Sequence, residues 1–245
     1  MRLPLGLLIV CVCCLAKVYQ TFAENVVYGA DVFPPHVLFD KTTNKCVGKN
    51  IDDTVKIVEQ AGHNVSVLCA PAVRLVRLLI EGKIDFIVKL KGAGEVENHV
   101  KYSDIPSLYM DINLYQHLDT QNTEDLVAAV RGFAYEGQRN ILIEQNYRFF
   151  DLPDSITVID FFLKKRSQYM LSYGDSLDYF LQKNEIILPD SIVSQTLKSS
   201  PAFYAVSNQS DKQQVLLKVI NDYAKTHGLV KYIDMWYVPR LANNA

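Results

Sequence analysis

The sequence has no pair of histidines at metal-ligand spacing. His36, His63, His99, His117 and His227 are scattered, and no cysteine pair sits beside any of them, so no metal is assigned. It has no Gly-x-Ser-x-Gly elbow and no Walker loop, which removes the serine-hydrolase and P-loop readings and leaves no cofactor to expect. No block of Lys and Arg marks a nucleic-acid surface. No motif of roughly 20–50 residues recurs many times, which excludes solenoids and propellers. Beyond the first 23 residues no apolar run is long enough to cross a membrane.

What is present begins with those 23 residues. Arg2 is followed by the apolar run LPLGLLIVCVCCLA and then by KVYQTFA, the order of a secretory signal peptide. Thr21 and Ala23 are small enough to precede a cut before Glu24, so the mature chain is expected in the periplasm or outside the cell. Cys11, Cys13 and Cys14 follow Val10, Val12 and Cys13 rather than a small residue, which does not favour a lipid anchor. Loss of Arg2 and Lys17 reduces the 25 basic residues to 23 against 27 acidic ones, a net charge of −4. Cys46 and Cys69 then remain as one pair. A disulfide between them and two separate buried thiols are both open.

The mature chain reads as a βαβαβ series: NVVYGADVF, IDDTVKIVEQAG, NVSVLCAP, AVRLVRLLIEG and KIDFIVKL. The glycines at 62 and 82 close the two helices. Such an order implies a parallel sheet with helices on its faces. A second series follows. LVAAVRG reads as a strand, YEGQRNILIEQN as helical, SITVI as a strand, DFFLKK as a short helix, SQYMLSYG as a strand and DSLDYFLQKN as a helix. The segments 78–88 and 161–171 share a pattern of helix end, basic residue and short strand, which suggests two similarly built lobes. Towards the end FYAV reads as a strand, Val215, Leu216, Val219, Ile220 and Tyr223 make a helical stripe, and LVKYIDMW starts another short helix.

These residues resemble periplasmic solute-binding proteins of the amino-acid-binding type, family 3. The resemblance is carried by VFPPH (32–36), CVGKNIDDTVKIVEQAG (46–62), PAVRLVRLLIEGKIDFI (71–87), KYSDIPSLY (101–109), LVAAVRGFAY (126–135) and LLKVINDYAKTHGLVKYIDMW (216–236). It implies the type II periplasmic-binding fold, an α/β protein of two lobes, each a mostly parallel sheet flanked by helices, joined by two hinge segments. On that basis residues 24–111 form the first part of lobe one, 112–116 a hinge, 117–201 lobe two, 202–207 the second hinge, and 208–245 helices returning to lobe one. Ligand is expected between the lobes, which agrees with the rule that open parallel sheets bind beyond the carboxyl ends of their strands.

That rule selects the candidate ligand-binding residues. Lys89 and Lys91 lie at the end of the strand in EGKIDFIVKLKG, where two ammonium groups favour an anionic ligand; the alternative is a solvated strand end. In amino-acid-binding relatives an arginine before the KYS segment forks onto the ligand carboxylate. Here that position falls on Val96, so a standard α-amino acid is not the expected ligand. Arg74 opens the helix after Pro71, where a surface charge is the competing reading. Phe33 is expected to line the cleft and Asp31 to accept an ammonium or hydroxyl. Arg131, Gly132, Phe133 and Tyr135 form a turn whose backbone N–H groups are candidates for an anion. Tyr173 and Asp175 are expected to close the pocket from lobe two.

The resulting expectation is a monomeric, non-enzymatic solute-binding protein that passes a small polar ligand, anionic if the two lysines serve it, to an ABC-type permease. Two other readings stand beside it. One is an enzyme on the same fold, resembling periplasmic dehydratases, for which Glu95 is the acid–base candidate by position. The other is a ligand-sensing partner of a membrane receptor.

Overall fold

The computed structural model describes residues 24–92, 94–119 and 125–232. The proposed signal peptide at 1–23 and residues 233–236 of the closing helix expected over 229–236 therefore lie outside the described residues, and 229–232 are not helical. No helix among the described residues is long and apolar enough to cross a membrane.

The first unit runs β1 (Asn25–Ala30), a hairpin of β2 (Leu38–Asp40) and β3 (Lys45–Val47), α1 (Lys49–Glu59), β4 (Asn64–Cys69), α2 (Ala72–Ile80) and β5 (Phe86–Leu90). After it come the short β6 (Val100–Tyr102) and the long β7 (Leu108–His117). The second unit runs β8 (Leu126–Val130), α3 (Gln138–Glu144), β9 (Arg148–Leu152), α4 (Ser155–Leu163), β10 (Tyr169–Tyr173) and α5 (Gly174–Lys183). The sixteen-residue β11 (Ile192–Ser207) then crosses back to the first unit, and α6 (Gln213–Thr226) packs there against α1.

Both units share one plan. β1 pairs in parallel with β4 on one side and β5 on the other, and β8 pairs in parallel with β9 and β10. In each unit the first strand is central because both crossovers carry a helix that must pack back on the sheet with the same hand. The antiparallel strands β7 and β11 then join the units into one nine-stranded sheet, ordered β4-β1-β5-β11-β7-β10-β8-β9, with β6 on β11.

Register divides the two crossing strands into zones. On β7, Ile112–Gln116 also pair with β10, and on β11, Ala202–Val206 pair with β5. Between these zones Leu108–Asp111 face Ser199–Ala202, a stretch that includes Pro201.

Lobe one is held by a stack of Tyr28 on Phe86, 4.9 Å between centroids, capped edge-on by Tyr204. The Thr54 and Tyr204 hydroxyls meet at 3.0 Å. Asp85, from the Gly-x-x-Asp stretch, is buried and structural. Its carboxylate accepts from the Val27 N–H at 2.7 Å, from Ser210 Oγ at 2.6 Å and from Lys212 Nζ at 3.2 Å, tying β5 to β1 and to the approach of α6. Cys46 at the centre of β3 and Cys69 at the end of β4 form a disulfide with Cα atoms 5.3 Å apart.

The second unit departs from the sequence reading in two places. SITVI is helical, part of α4. Asp154 caps it, its carboxylate accepting from the Thr157 N–H at 2.8 Å and from Thr157 Oγ1 at 2.9 Å. An apolar run of this length suits a strand or a buried helix equally, and the cap decides it. The strand beside β8 is RFFDL instead. β11 begins at Ile192, eleven residues before FYAV, because Ser194–Ser200 is too polar to read as a strand until β7 supplies its partners.

Candidate functional site

The carboxyl ends of β1, β5, β8 and β10 converge on a cavity of about 660 Å³ lined by residues of both units. This is within the usual range for a small-molecule site.

From β1 the chain runs through Asp31 and Phe33 into the Pro34–Pro35 pair, whose peptide bond is cis. The loop closes on itself through reciprocal backbone hydrogen bonds between Phe33 and Val37, each 2.9 Å. This holds the Phe33 ring over His36, 5.7 Å away, and edge-on to Tyr173 at 5.1 Å. From α2, Val73, Val76, Arg77 and Ile80 face the cavity, with buried Leu75 also touching its wall, while Leu79 is buried outside it. That is the one-face spacing of a helix. From the second unit come Gly132, Phe133, Tyr135, Glu136 and Tyr173, and from the crossing strands Leu108, Met110 and Ala202.

The sequence-derived candidates divide accordingly. Asp31, Phe33, Lys89, Phe133, Tyr135 and Tyr173 line the cavity. Arg74 does not; Arg77 takes its place, because Arg74 is about 100° around the helix from Val73. Lys91 does not either. β5 ends at Leu90, the alternation of 89 and 91 ends with it, and the Lys91 ammonium lies over the rings of Tyr102 and Phe203 at 5.7 and 5.6 Å. Arg131 is exposed outside the cavity. Its N–H is bonded to Leu152 O and that of Phe133 to Val130 O, so this turn has spent two of the donors an anion would need. The α3 helix that follows is only seven residues long.

Asp175 lies beside the cavity rather than in its wall. The His36 ring nitrogen Nε2 meets its carboxylate at 2.8 Å, and Ser176 Oγ donates to Pro34 O at 2.9 Å. These contacts, with Phe33 against Tyr173, join the Pro-Pro loop of one unit to the start of α5 in the other. Val96 is buried in the cavity wall, so the position where the resemblance places an arginine is apolar. Glu95 stands in the 3-10 turn Gly94–His99, and its side chain lies outside the described residues.

Burial raises the Asp31 carboxyl above its ordinary value, and its own backbone N–H and the Lys89 charge partly offset that rise. Burial likewise raises the Tyr173 phenol well above its ordinary value, with Tyr135, Glu136 and Asp31 adding to it. Both groups are held towards their neutral forms, and Lys89 lines the same cavity. Among the described residues no group of three or more His, Cys, Asp or Glu is placed to hold a metal.

Glu136 is the residue that sequence reasoning missed. Tyr135, Glu136 and Gly137 are successive left-handed residues, with φ of 47°, 55° and 84°. For the two non-glycine residues this conformation costs on the order of 1–3 kcal/mol each and persists only where packing enforces it. Tyr135 supplies that packing: its ring is buried and its hydroxyl accepts the Val130 N–H at 2.9 Å. The turn thereby carries Glu136 to the crossing strand β11, where its Oε2 accepts from Ser200 Oγ and Lys198 Nζ, each at 3.1 Å. Those partners lie more than sixty positions away, so no local pattern announces the contact.

No protein-family model matches the sequence, and no curated protein sequence does. Solved structures do. The arginine-bound truncated ArgBP from T. maritima superposes with a TM-score of 0.64 at 18% identity, covering 83% of this chain and 96% of that one. An ABC uptake transporter substrate-binding protein from Streptococcus pneumoniae with bound histidine gives 0.66 at 17% identity, covering 82% and 86%. A histidine kinase sensor domain with similarity to periplasmic binding proteins gives 0.67 at 15%, covering 84% and 92%. The chain has the type II periplasmic-binding fold. In the periplasmic-binding fold described here, two lobes of one plan face each other across the cavity, and β7 and β11 are the two connections between them.

Proposed function

We propose that this chain is an exported solute-binding protein that captures a small molecule between its lobes and hands it to a membrane permease. The observation that carries the reading is the cavity itself: it forms where strand ends of both lobes converge, and its walls come from both. Closing the lobes would bury a ligand, and opening them would release it. The bend is assigned to the rungs Leu108–Asp111 against Ser199–Ala202, which pair with each other and with neither β5 nor β10 over most of their length. A two-stranded ribbon flexes with fewer hydrogen bonds to distort than a sheet interior, which argues for placing it there rather than at 112–116 and 202–207.

Binding rather than catalysis is supported by the similar structures, among which are an arginine-bound binding protein and a transporter binding protein holding histidine. The similar sensor domain supports a second reading, in which the loaded lobes are presented to a membrane receptor. The ligand expected here has a substantial apolar body, matching Phe33, Phe133, Val73, Val76 and Ile80, and an acceptor or anionic group for Lys89.

The test is mass spectrometry of small molecules released on denaturing the purified protein, followed by thermal-shift measurement with each compound found. A ligand at about a hundred times its Kd adds about 2.7 kcal/mol of stability. Recovery of no compound, together with no thermal shift across a broad metabolite set, overturns the reading.

A further inference from the structure

The Glu136 side chain is only 5% exposed, and one of its two oxygens has no hydrogen-bond partner among the described residues. Oε2 holds Ser200 and Lys198. Oε1 is buried and has no donor among the described residues. A carboxylate oxygen accepts hydrogen bonds and donates none, and leaving a buried acceptor unpaired costs on the order of 1–3 kcal/mol. The residue lines the ligand cavity, and a turn of successive left-handed residues holds it there. An interior designed only to fasten this turn to β11 would need one oxygen.

Building on the capture reading above, we propose that Glu136 Oε1 is the acceptor for a hydrogen-bond-donating group of the ligand. The ligand class is a compact apolar or aromatic molecule bearing a hydroxyl or amino group. The surrounding walls select the body, since Phe33, Phe133, Tyr173, Met110 and Val96 offer rings and alkyl surface. Glu136 selects the functional group, because a ligand presenting only acceptors there sets lone pair against lone pair and leaves Oε1 unpaired. The same carboxylate grips β11 at Lys198 and Ser200, beside the rungs assigned to the bend. A donor on Oε1 therefore completes a chain of hydrogen bonds from ligand to crossing strand, so occupancy by the right ligand steadies the closed arrangement.

Two isomeric probes separate this from a merely structural role. 2-Phenylethanol and benzyl methyl ether share a formula and a ring, but only the alcohol donates a hydrogen bond. Calorimetric titration of the full mature chain is expected to show at least tenfold preference for the alcohol, about 1.4 kcal/mol. In Glu136→Gln the amide oxygen stays with its donors, Ser200 and Lys198, and the NH2 takes the place of Oε1. The preference should then vanish or reverse. A structural role for Glu136 would weaken both probes equally and leave their ratio unchanged, which would overturn the proposal. If the variant fails to fold, the wild-type ratio alone decides: equal affinity for the two isomers refutes it. Binding of neither isomer also refutes it, while recovery of a co-purifying compound by mass spectrometry would leave the capture reading standing.

Discussion

Removing the Cys46–Cys69 bridge tests how the first lobe supports the cleft. The two cysteines are 23 positions apart and connect β3 to the end of β4. Cross-linking a loop of this length removes about 11 cal/mol/K of chain entropy from the unfolded state, or about 3.4 kcal/mol at 25 °C. In a chain of this size that corresponds to a fall in Tm of roughly 7–14 °C. The effect should reach function as well as stability. The bridge anchors the β2–β3 hairpin, and the chain enters that hairpin from the Pro-Pro loop carrying Phe33 and His36. Loosening it should weaken the contacts of His36 with Asp175 and of Pro34 with Ser176 across the cleft. The assay is thermal unfolding of Cys46→Ser/Cys69→Ser beside the oxidised wild type, with ligand titration of both. A double variant that melts within about 1 °C of wild type would refute the reasoning, since it would mean the unfolded chain gains almost no freedom when the loop opens.

Lys89→Met should weaken a ligand bearing an acceptor or anionic group at least tenfold, about 1.4 kcal/mol, whereas Lys91→Met should leave affinity unchanged. Equal losses in the two variants, measured by calorimetry, would contradict the placement of the two ammonium groups. Asp85→Ala strands the Lys212 charge and the Val27 N–H, and is expected to cost about 3 kcal/mol in urea unfolding, as for breaking a buried ion pair; a loss below about 1 kcal/mol would show the network to be dispensable. Asp31 gives a pH signature. Its folded pKa is raised, so the folded state holds the proton more tightly than the unfolded one, and that stabilisation, complete below the unfolded value, is lost as pH rises through the folded value. Asp31→Asn should therefore gain in stability relative to wild type as pH rises from the unfolded value through the folded one, and a difference that does not change with pH would refute the burial of this carboxyl.

The parts of the protein legible in its sequence are those specified locally. Gly62 and Gly82 stop two helices, the runs around Val26, Val67 and Ile87 are apolar and β-branched, and their βαβαβ order leaves a parallel sheet with helical cover as the outcome. The rule that ligands meet such sheets at the carboxyl ends of strands then places Asp31, Phe33 and Lys89 at the cleft without coordinates. Where local signals were balanced, they misled. SITVI fits a strand until the Asp154 cap is seen, and Ser194–Ser200 looks like a loop until β7 pairs with it. The division of Lys89 from Lys91 depended on where β5 stops, and that of Arg74 from Arg77 on which face of α2 meets the sheet. Glu136 was beyond reach for a further reason: its partners, Ser200 and Lys198, lie on a strand more than sixty residues later. Propensity and periodicity act over a few neighbours, whereas a buried carboxylate is defined by whatever the completed fold brings within 3 Å of each oxygen. Tertiary structure alone brought two donors to one oxygen of Glu136 and, among the described residues, none to the other.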